Sequence, residues 1–384
     1  MSTPIEGWCA PGFEAVPEAF AANFEERGEV GAAVHVLVRG EVVVDLVGGW
    51  SDEARTSAWR HDTIVDFYSV GKAILALLAL QLVDAGRLAL DQPIADVWPE
   101  FAVGGKASAT VAHALTHRAG VPAIREVLSD DDLFDWDRMT SALAATEAWY
   151  PPGQQLAYHT NTFGHLLGEL VHRVSGQMPG ERLSSVATSL GADVWFGVPR
   201  AEQARCAEVI WDPASPMPTF TTFEGLEDDQ LLNAQSHFNP PGYSSAGVVN
   251  TPAWRSSQIG STSGHGSASG VARIYAGLLE PGRLVSPELL ALASRPQVVG
   301  RCPILGEEVT FGLGFQPTTT RRPLGPNGRS FGHFGTGGAL GFGDPDAGVA
   351  FGYVMNHVIP RWQSSRNRAL VDALYSSLDS RSGG

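Results

Sequence analysis

The chain of 384 residues is 43% hydrophobic and 17% charged, with a formal net charge of −15. That composition excludes long disorder and supplies enough apolar residues for a large core. The acidic balance counts against nucleic acid or an anionic membrane surface as a partner, both of which favour basic patches.

Three cysteines, Cys9, Cys206 and Cys302, are odd in number and far apart. They read as free thiols rather than as a disulfide framework or a metal knuckle. Residues 1–7 carry neither a basic nor an apolar signal region. The longest apolar stretch, 73–83, is too short to cross a bilayer and is interrupted by Gln81. A cytoplasmic protein is expected, and the oligomeric state is not legible.

Residues 13–28 place Phe13, Val16, Phe20 and Phe24 at helical spacing before Gly28. Two β-branched runs, 32–38 and 42–47, flank Arg39-Gly40-Glu41 and read as a hairpin. A polar loop leads to Ser69, and an apolar helix follows through Leu82 until Gly86 ends it. Residues 84–101 are turn-rich. A short helix from Val111 ends at Gly120, and further helices are predicted at 136–145 and 161–174. Residues 205–260 are rich in Pro, Ser, Thr and Asn, with one helix near 227–234. Helices at 271–279 and 286–294 lead to strands at 310–315, 330–334, 339–343 and 349–355, and a closing helix spans 365–378.

Strands at both ends around a helical middle predict one sheet assembled from both chain ends with a helical lobe inserted. The expected division is a sheet domain of residues 1–75 and 260–384, a helical and loop-rich domain of 76–259, and an active site in the cleft between them.

Within Asp66-Phe67-Tyr68-Ser69-Val70-Gly71-Lys72, the serine lies three residues before the lysine at a helix start, so both side chains share a face. This is an S-x-x-K arrangement. Serine is a weak nucleophile that needs a proton acceptor, and lysine serves once burial or a neighbouring cation lowers its pKa. Arginine could not. The chain has only two lysines, Lys72 and Lys106, and one stands at this position. Read alone, the tetrapeptide fits a helix cap and a solvated first-turn lysine equally well. Tyr158, which follows the turn Pro151-Pro152-Gly153, alone fits a packed aromatic.

Further pieces change that balance: Gly86-Arg87-Leu88-Ala89-Leu90-Asp91-Gln92-Pro93-Ile94, Leu115-Thr116-His117-Arg118-Ala119-Gly120-Val121-Pro122, Pro152-Gly153 before Tyr158, and His333-Phe334-Gly335 before a glycine-rich strand. With Ser69-Val70-Gly71-Lys72 they follow in order over most of the chain. Together they resemble the serine β-lactamase and penicillin-binding-protein superfamily, especially class C β-lactamases and the family VIII carboxylesterases.

The resemblance implies an α/β (α+β) β-lactamase/transpeptidase-like fold, with an antiparallel sheet flanked by helices. It implies Ser69 as nucleophile, Lys72 and Tyr158 as its proton acceptors, and Tyr158 as donor to the leaving group. It also implies an oxyanion hole on the backbone N–H groups of Ser69 and Thr336, the residue after Gly335. His333 is expected to orient Tyr158 or donate to the leaving group, with a satisfied sheet histidine as the alternative. His159 is a supporting candidate, and His117 a loop-fixing one.

Two departures matter. The asparagine that the family carries two residues after the tyrosine is Thr160 here, with Asn161 one later, and the third motif has Phe334 in place of a hydroxyl residue. A phenylalanine there weakens the case for carboxylate-bearing substrates. The expectation is a serine hydrolase of small carboxylic esters, short acyl chains included, acting through an acyl-enzyme. The alternatives are an amide hydrolase of the D-aminopeptidase, D-alanyl-D-alanine peptidase or weak β-lactamase type, an acyltransferase, or a non-catalytic binding protein. No G-x-S-x-G elbow and no metal-ligand spacing among the eleven histidines occurs, so neither an α/β-hydrolase nor a metal or cofactor is expected.

Overall fold

The computed structural model describes residues 3–214, 222–245, 247–359 and 364–382. The predicted hairpin forms as β2 (Gly31–Val38) and β3 (Glu41–Gly49). Arg39 and Gly40 both take positive φ, 52° and 84°, the two-residue turn whose twist suits a hairpin.

Each end of the chain then contributes to the same sheet. β1 (Ile5–Cys9) pairs with β3, and the C-terminal third supplies β4 (Gln316–Pro317), β5 (Phe331–Phe334), β6 (Leu340–Asp344) and β7 (Val349–Met355). The order is β1-β3-β2-β7-β6-β5-β4, antiparallel throughout. The two ends join between β2 and β7, in register from Val349 opposite Val38 to Met355 opposite Ala32. β2 and β7 are buried along almost their whole length because helices cover the sheet.

Helix α1 (Ala15–Glu26) packs against the C-terminal helix α5 (Ser365–Ser382), and α4 (Ala268–Leu279) packs on β2, β6 and β7. Helix α2 (Val70–Asp84) is apolar on nearly every side and buried from Val70 through Leu80, as a helix without a polar face must be. It packs on β5 and on α3 (Thr162–Ser175). That contact brings the first turn of α2 to the sheet.

Several elements were not legible. β1 carries no strand signal, because Ile-Glu-Gly-Trp-Cys is short and its side chains stay largely exposed at the sheet edge. The strand expected at 310–315 is instead the second arm of a hairpin, Val298–Cys302 with Glu307–Phe311, followed by β4. A three-stranded sheet joins Val65–Asp66, His265–Gly266 and Val194–Trp195, pairs too short to carry a period. The region 205–260 contains the expected helix, at Asp228–Phe238, together with short turns; residues 215–221 and 246 lie outside the described residues. Gly264-His265-Gly266 leads into α4, where the Ser267 hydroxyl caps the Gly270 amide.

Candidate active site

Ser69 stands at the N-cap of α2, with Lys72 one turn further on. The Lys72 Nζ donates to Ser69 Oγ at 2.9 Å and to the Ser261 carbonyl at 2.9 Å. The sequence permits this through Gly71: a methyl group there would come within 2.3 Å of the Gly260 carbonyl oxygen. Only glycine at that position lets the 259–261 segment approach closely enough to meet the lysine. Ser261 is in turn held by its hydroxyl, which donates to the Asn161 carbonyl at 2.7 Å. The asparagine that follows the tyrosine one residue late therefore makes no hydrogen bond to Lys72. It supports the residue that does, while its own Nδ2 donates to the Ser236 carbonyl.

Lys72 is fully buried, and burial pushes its pKa well below the usual 10.5 with no acidic group offsetting the loss of hydration. Tyr158 is also buried. Burial raises its phenol above the ordinary 10, and a hydrogen bond with Ser69 opposes that rise. Its ring lies 5.0 Å from Lys72 Nζ. The environment thus drives the pair towards a neutral amine and a neutral phenol, the combination in which one can accept a proton and the other can donate one.

Phe311 stacks on Tyr158 at 5.6 Å and 11°, and His117 lies 4.7 Å from it. The Tyr158 amide points to Cys302 Sγ at 3.2 Å. His117 takes φ +58° and its Nδ1 accepts the His159 amide hydrogen at 3.1 Å, fixing the chain on both sides of the tyrosine's peptide. Burial lowers the pKa of His117 well below the usual 6.5. His159 donates from Nδ1 to the Ala157 carbonyl at 2.7 Å and meets the site through His117, 5.7 Å away. Burial lowers its pKa to about 4.

His333 stacks on Tyr158 at 6.5 Å and donates from Nδ1 to the Phe334 carbonyl at 2.7 Å. Burial brings its pKa to about 3, so it is neutral. Phe334 is buried and lines a groove with Leu340, Asn367, Val371 and Tyr375.

The backbone around Ser69 is shaped by Asp66 and Tyr68. Tyr68 adopts φ +50° immediately before Ser69, a conformation that costs energy for a bulky residue. Asp66 holds it by accepting the Tyr68 amide at 2.7 Å, and accepts Trp254 Nε1–H at 2.7 Å with its other oxygen. Burial pushes Asp66 up to about 8 against those two hydrogen bonds.

Gly335 closes the other side. A methyl group there would meet the Phe67 carbonyl oxygen at 2.3 Å, so the turn after β5 lies against the residues that lead into Ser69. Thr336 opens the turn Thr336–Gly338, where the first N–H has no partner within the turn. Among the described residues, neither the Ser69 nor the Thr336 amide is taken by a main-chain acceptor. The former also starts a 15-residue helix, whose dipole favours developing negative charge.

Sequence reasoning missed Ser261, Phe311, Asp66 and Tyr68. Ser261 and Phe311 act through a carbonyl and a ring face, to which no motif points. Tyr68 and Asp66 were visible as residues, but their strain and burial were not. Among the described residues, no group of His, Cys, Asp and Glu could hold a metal ion, and no helix is long and apolar enough to cross a membrane.

Comparisons with known proteins show the family. The family model described as Beta-lactamase matches residues 18–375. Esterase/beta-lactamase LipL of Mycobacterium tuberculosis is 31% identical over 372 residues, covering 92% of this chain and 83% of that protein. A solved family VIII carboxylesterase superposes with a TM-score of 0.88 at 33% identity, covering 97% of this chain and 100% of the other. A penicillin-binding-protein homologue from Caulobacter crescentus superposes with a TM-score of 0.88 at 37% identity, with the same coverage. With that match running from α1 into the C-terminal helix, the chain belongs to the beta-lactamase family.

Proposed function

We propose that this serine hydrolase cleaves small carboxylic esters through an acyl-enzyme on Ser69. The observation that carries the reading is the hydrogen bond from a fully buried Lys72, with no acidic group to keep it charged, to Ser69 Oγ at 2.9 Å. Similarity to proteins named as esterases supports the choice of ester, as does the phenylalanine in the third motif, which offers no hydroxyl to a substrate carboxylate.

In this reading Lys72 Nζ takes the Ser69 proton while Oγ bonds to the ester carbonyl carbon. The carbonyl oxygen becomes an oxyanion facing the Ser69 and Thr336 amides, donors that are aimed before the charge develops. As the carbon–oxygen bond to the leaving group breaks, Tyr158 gives its hydroxyl proton to the departing alkoxide and recovers one from the Lys72 ammonium. Water repeats the sequence in reverse: it loses a proton towards Tyr158 and Lys72, attacks the acyl carbon, and Ser69 leaves with a proton restored. His333 and His117, both neutral, frame the Tyr158 ring so that its hydroxyl faces the serine. Asp66 and Tyr68 hold the backbone that sets the serine's position.

The test is a stopped reaction with p-nitrophenyl acetate and butyrate, followed by intact-protein mass spectrometry on the wild type and on Ser69→Ala. An acyl adduct mapped to Ser69, and turnover abolished in Ser69→Ala, is the expected result. Turnover that survives in Ser69→Ala, or no adduct and no turnover in the folded wild type, would overturn the assignment.

A further inference from the structure

The turn that carries Thr336 is an unusual piece of backbone. Gly337 and Gly338 have φ values of +84° and +118°, and the turn is closed by the Gly335 amide donating to the Ala339 carbonyl at 2.7 Å. Two consecutive left-handed residues turn their carbonyls away from any helical partner, and such groups need a donor when buried. Both donors come from the first turn of α5. Arg366 Nη2 donates to the Gly337 carbonyl at 2.6 Å and to the His357 carbonyl at 3.0 Å, and Asn367 Nδ2 donates to the Gly338 carbonyl at 2.9 Å.

The clamp is itself anchored. Arg366 Nη1 lies 2.8 Å from Glu29 Oε1, with both side chains fully buried, and Glu29 also accepts from the Tyr353 hydroxyl. The Asn367 amide is held by Ser364 Oγ at 3.3 Å. On its other side the turn abuts Phe67 through Gly335, with no room for a side chain. The turn is therefore gripped between the segment that delivers Ser69 and the start of the last helix.

We infer that Arg366 and Asn367 are positioning residues that set the distance between the two oxyanion donors. This rests on the reading that the Thr336 amide is one of those donors. Neither side chain touches substrate; each acts on the next peptides of the turn. Oxyanion stabilisation depends on donors lying in place before the charge forms, so a loosened turn weakens binding of the transition state and leaves ground-state binding largely intact.

The experiment uses the full chain and three variants, Asn367→Ala, Arg366→Lys and Thr336→Pro. It measures kcat and KM with p-nitrophenyl butyrate and affinity for a trifluoromethyl ketone, which forms a tetrahedral adduct on the serine. Arg366→Lys also strains the buried ion pair, so Asn367→Ala carries the decision. Its kcat and ketone affinity should fall together by about 10- to 100-fold, the scale of a small misplacement, with KM changed less than about twofold. Thr336→Pro deletes one N–H at a position whose neighbour already has φ −107° and ψ 159°, which proline tolerates. It should lower kcat by about 100- to 1000-fold.

A folded Asn367→Ala enzyme with wild-type kcat, or one slowed without loss of ketone affinity, overturns the clamp. If Thr336→Pro is nevertheless crippled, the donor reading survives that failure. A fully active Thr336→Pro enzyme removes the donor reading and the clamp with it.

Discussion

Replacing Lys72 by methionine isolates the proposed proton acceptor from everything else in the site. The two side chains have similar length and volume, and the lysine's hydrogen bonds to be lost are those to Ser69 Oγ and the Ser261 carbonyl. Folding should survive. The Ser261 carbonyl loses a donor, which costs about 1–3 kcal/mol, and the variant no longer has to dehydrate an amine. Activity should not. A positioned general base contributes about 10²–10⁴ in rate, or roughly 3–5 kcal/mol at 1.36 kcal/mol per decade. Tyr158 cannot take over, because burial raises its pKa and no phenolate is available to accept the serine proton.

The pH dependence follows from the same residue. Lys72 accepts a proton only when neutral, so kcat/KM of the wild type should rise with pH through the lysine's lowered pKa and level off above it. The assay is the burst phase of p-nitrophenyl acetate hydrolysis over the range in which the enzyme stays folded, with the acyl adduct counted by mass. In Lys72→Met the burst rate should fall by about 10²–10⁴ and the acid limb should vanish from the residual activity. A variant that keeps more than about one tenth of the wild-type burst rate, or keeps the same acid limb, would refute the assignment of Lys72 as base.

Two further substitutions test the supporting groups. Tyr158→Phe keeps the ring between Phe311 and His333 but removes the hydroxyl proposed as proton donor. It should lower kcat by about 10²–10⁴ with KM nearly unchanged, as read by pre-steady-state kinetics, and a loss below about tenfold would move the leaving-group proton to another group. Asp66, raised from 3.8 to about 8, binds its proton more tightly in the folded state. Its contribution to stability is present in full below the unfolded value and is lost as pH rises through about 8. Denaturant unfolding of Asp66→Asn across that window should show the wild type declining relative to the variant by up to about 1.4 kcal/mol per pH unit. Parallel curves would mean that Asp66 is ionised in the folded protein.

The order of motifs along the chain determined the family and pointed to Ser69, Lys72 and Tyr158 as the proposed nucleophile and its proton-handling partners, because each motif combines a reactive residue with the turn or helix start that presents it. Alternation and helical spacing determined the hairpin at β2 and β3, the long apolar α2, and the idea of one sheet made from both chain ends. Such signals are local, and local chemistry writes them. What surrounds the reactive atoms was settled elsewhere. Ser261 reaches Lys72 through a main-chain carbonyl, which every residue type possesses, and only the packing of Gly71 against Gly260 shows that it must be there. Phe311 meets Tyr158 because a short hairpin folds back across the site, and Val65–Asp66 belongs to a sheet whose strands lie far apart in sequence. The lowered pKa of Lys72 and the grip of α5 on the Thr336 turn arise from burial and from contacts between distant segments, and those exist only once the two ends of the chain have met.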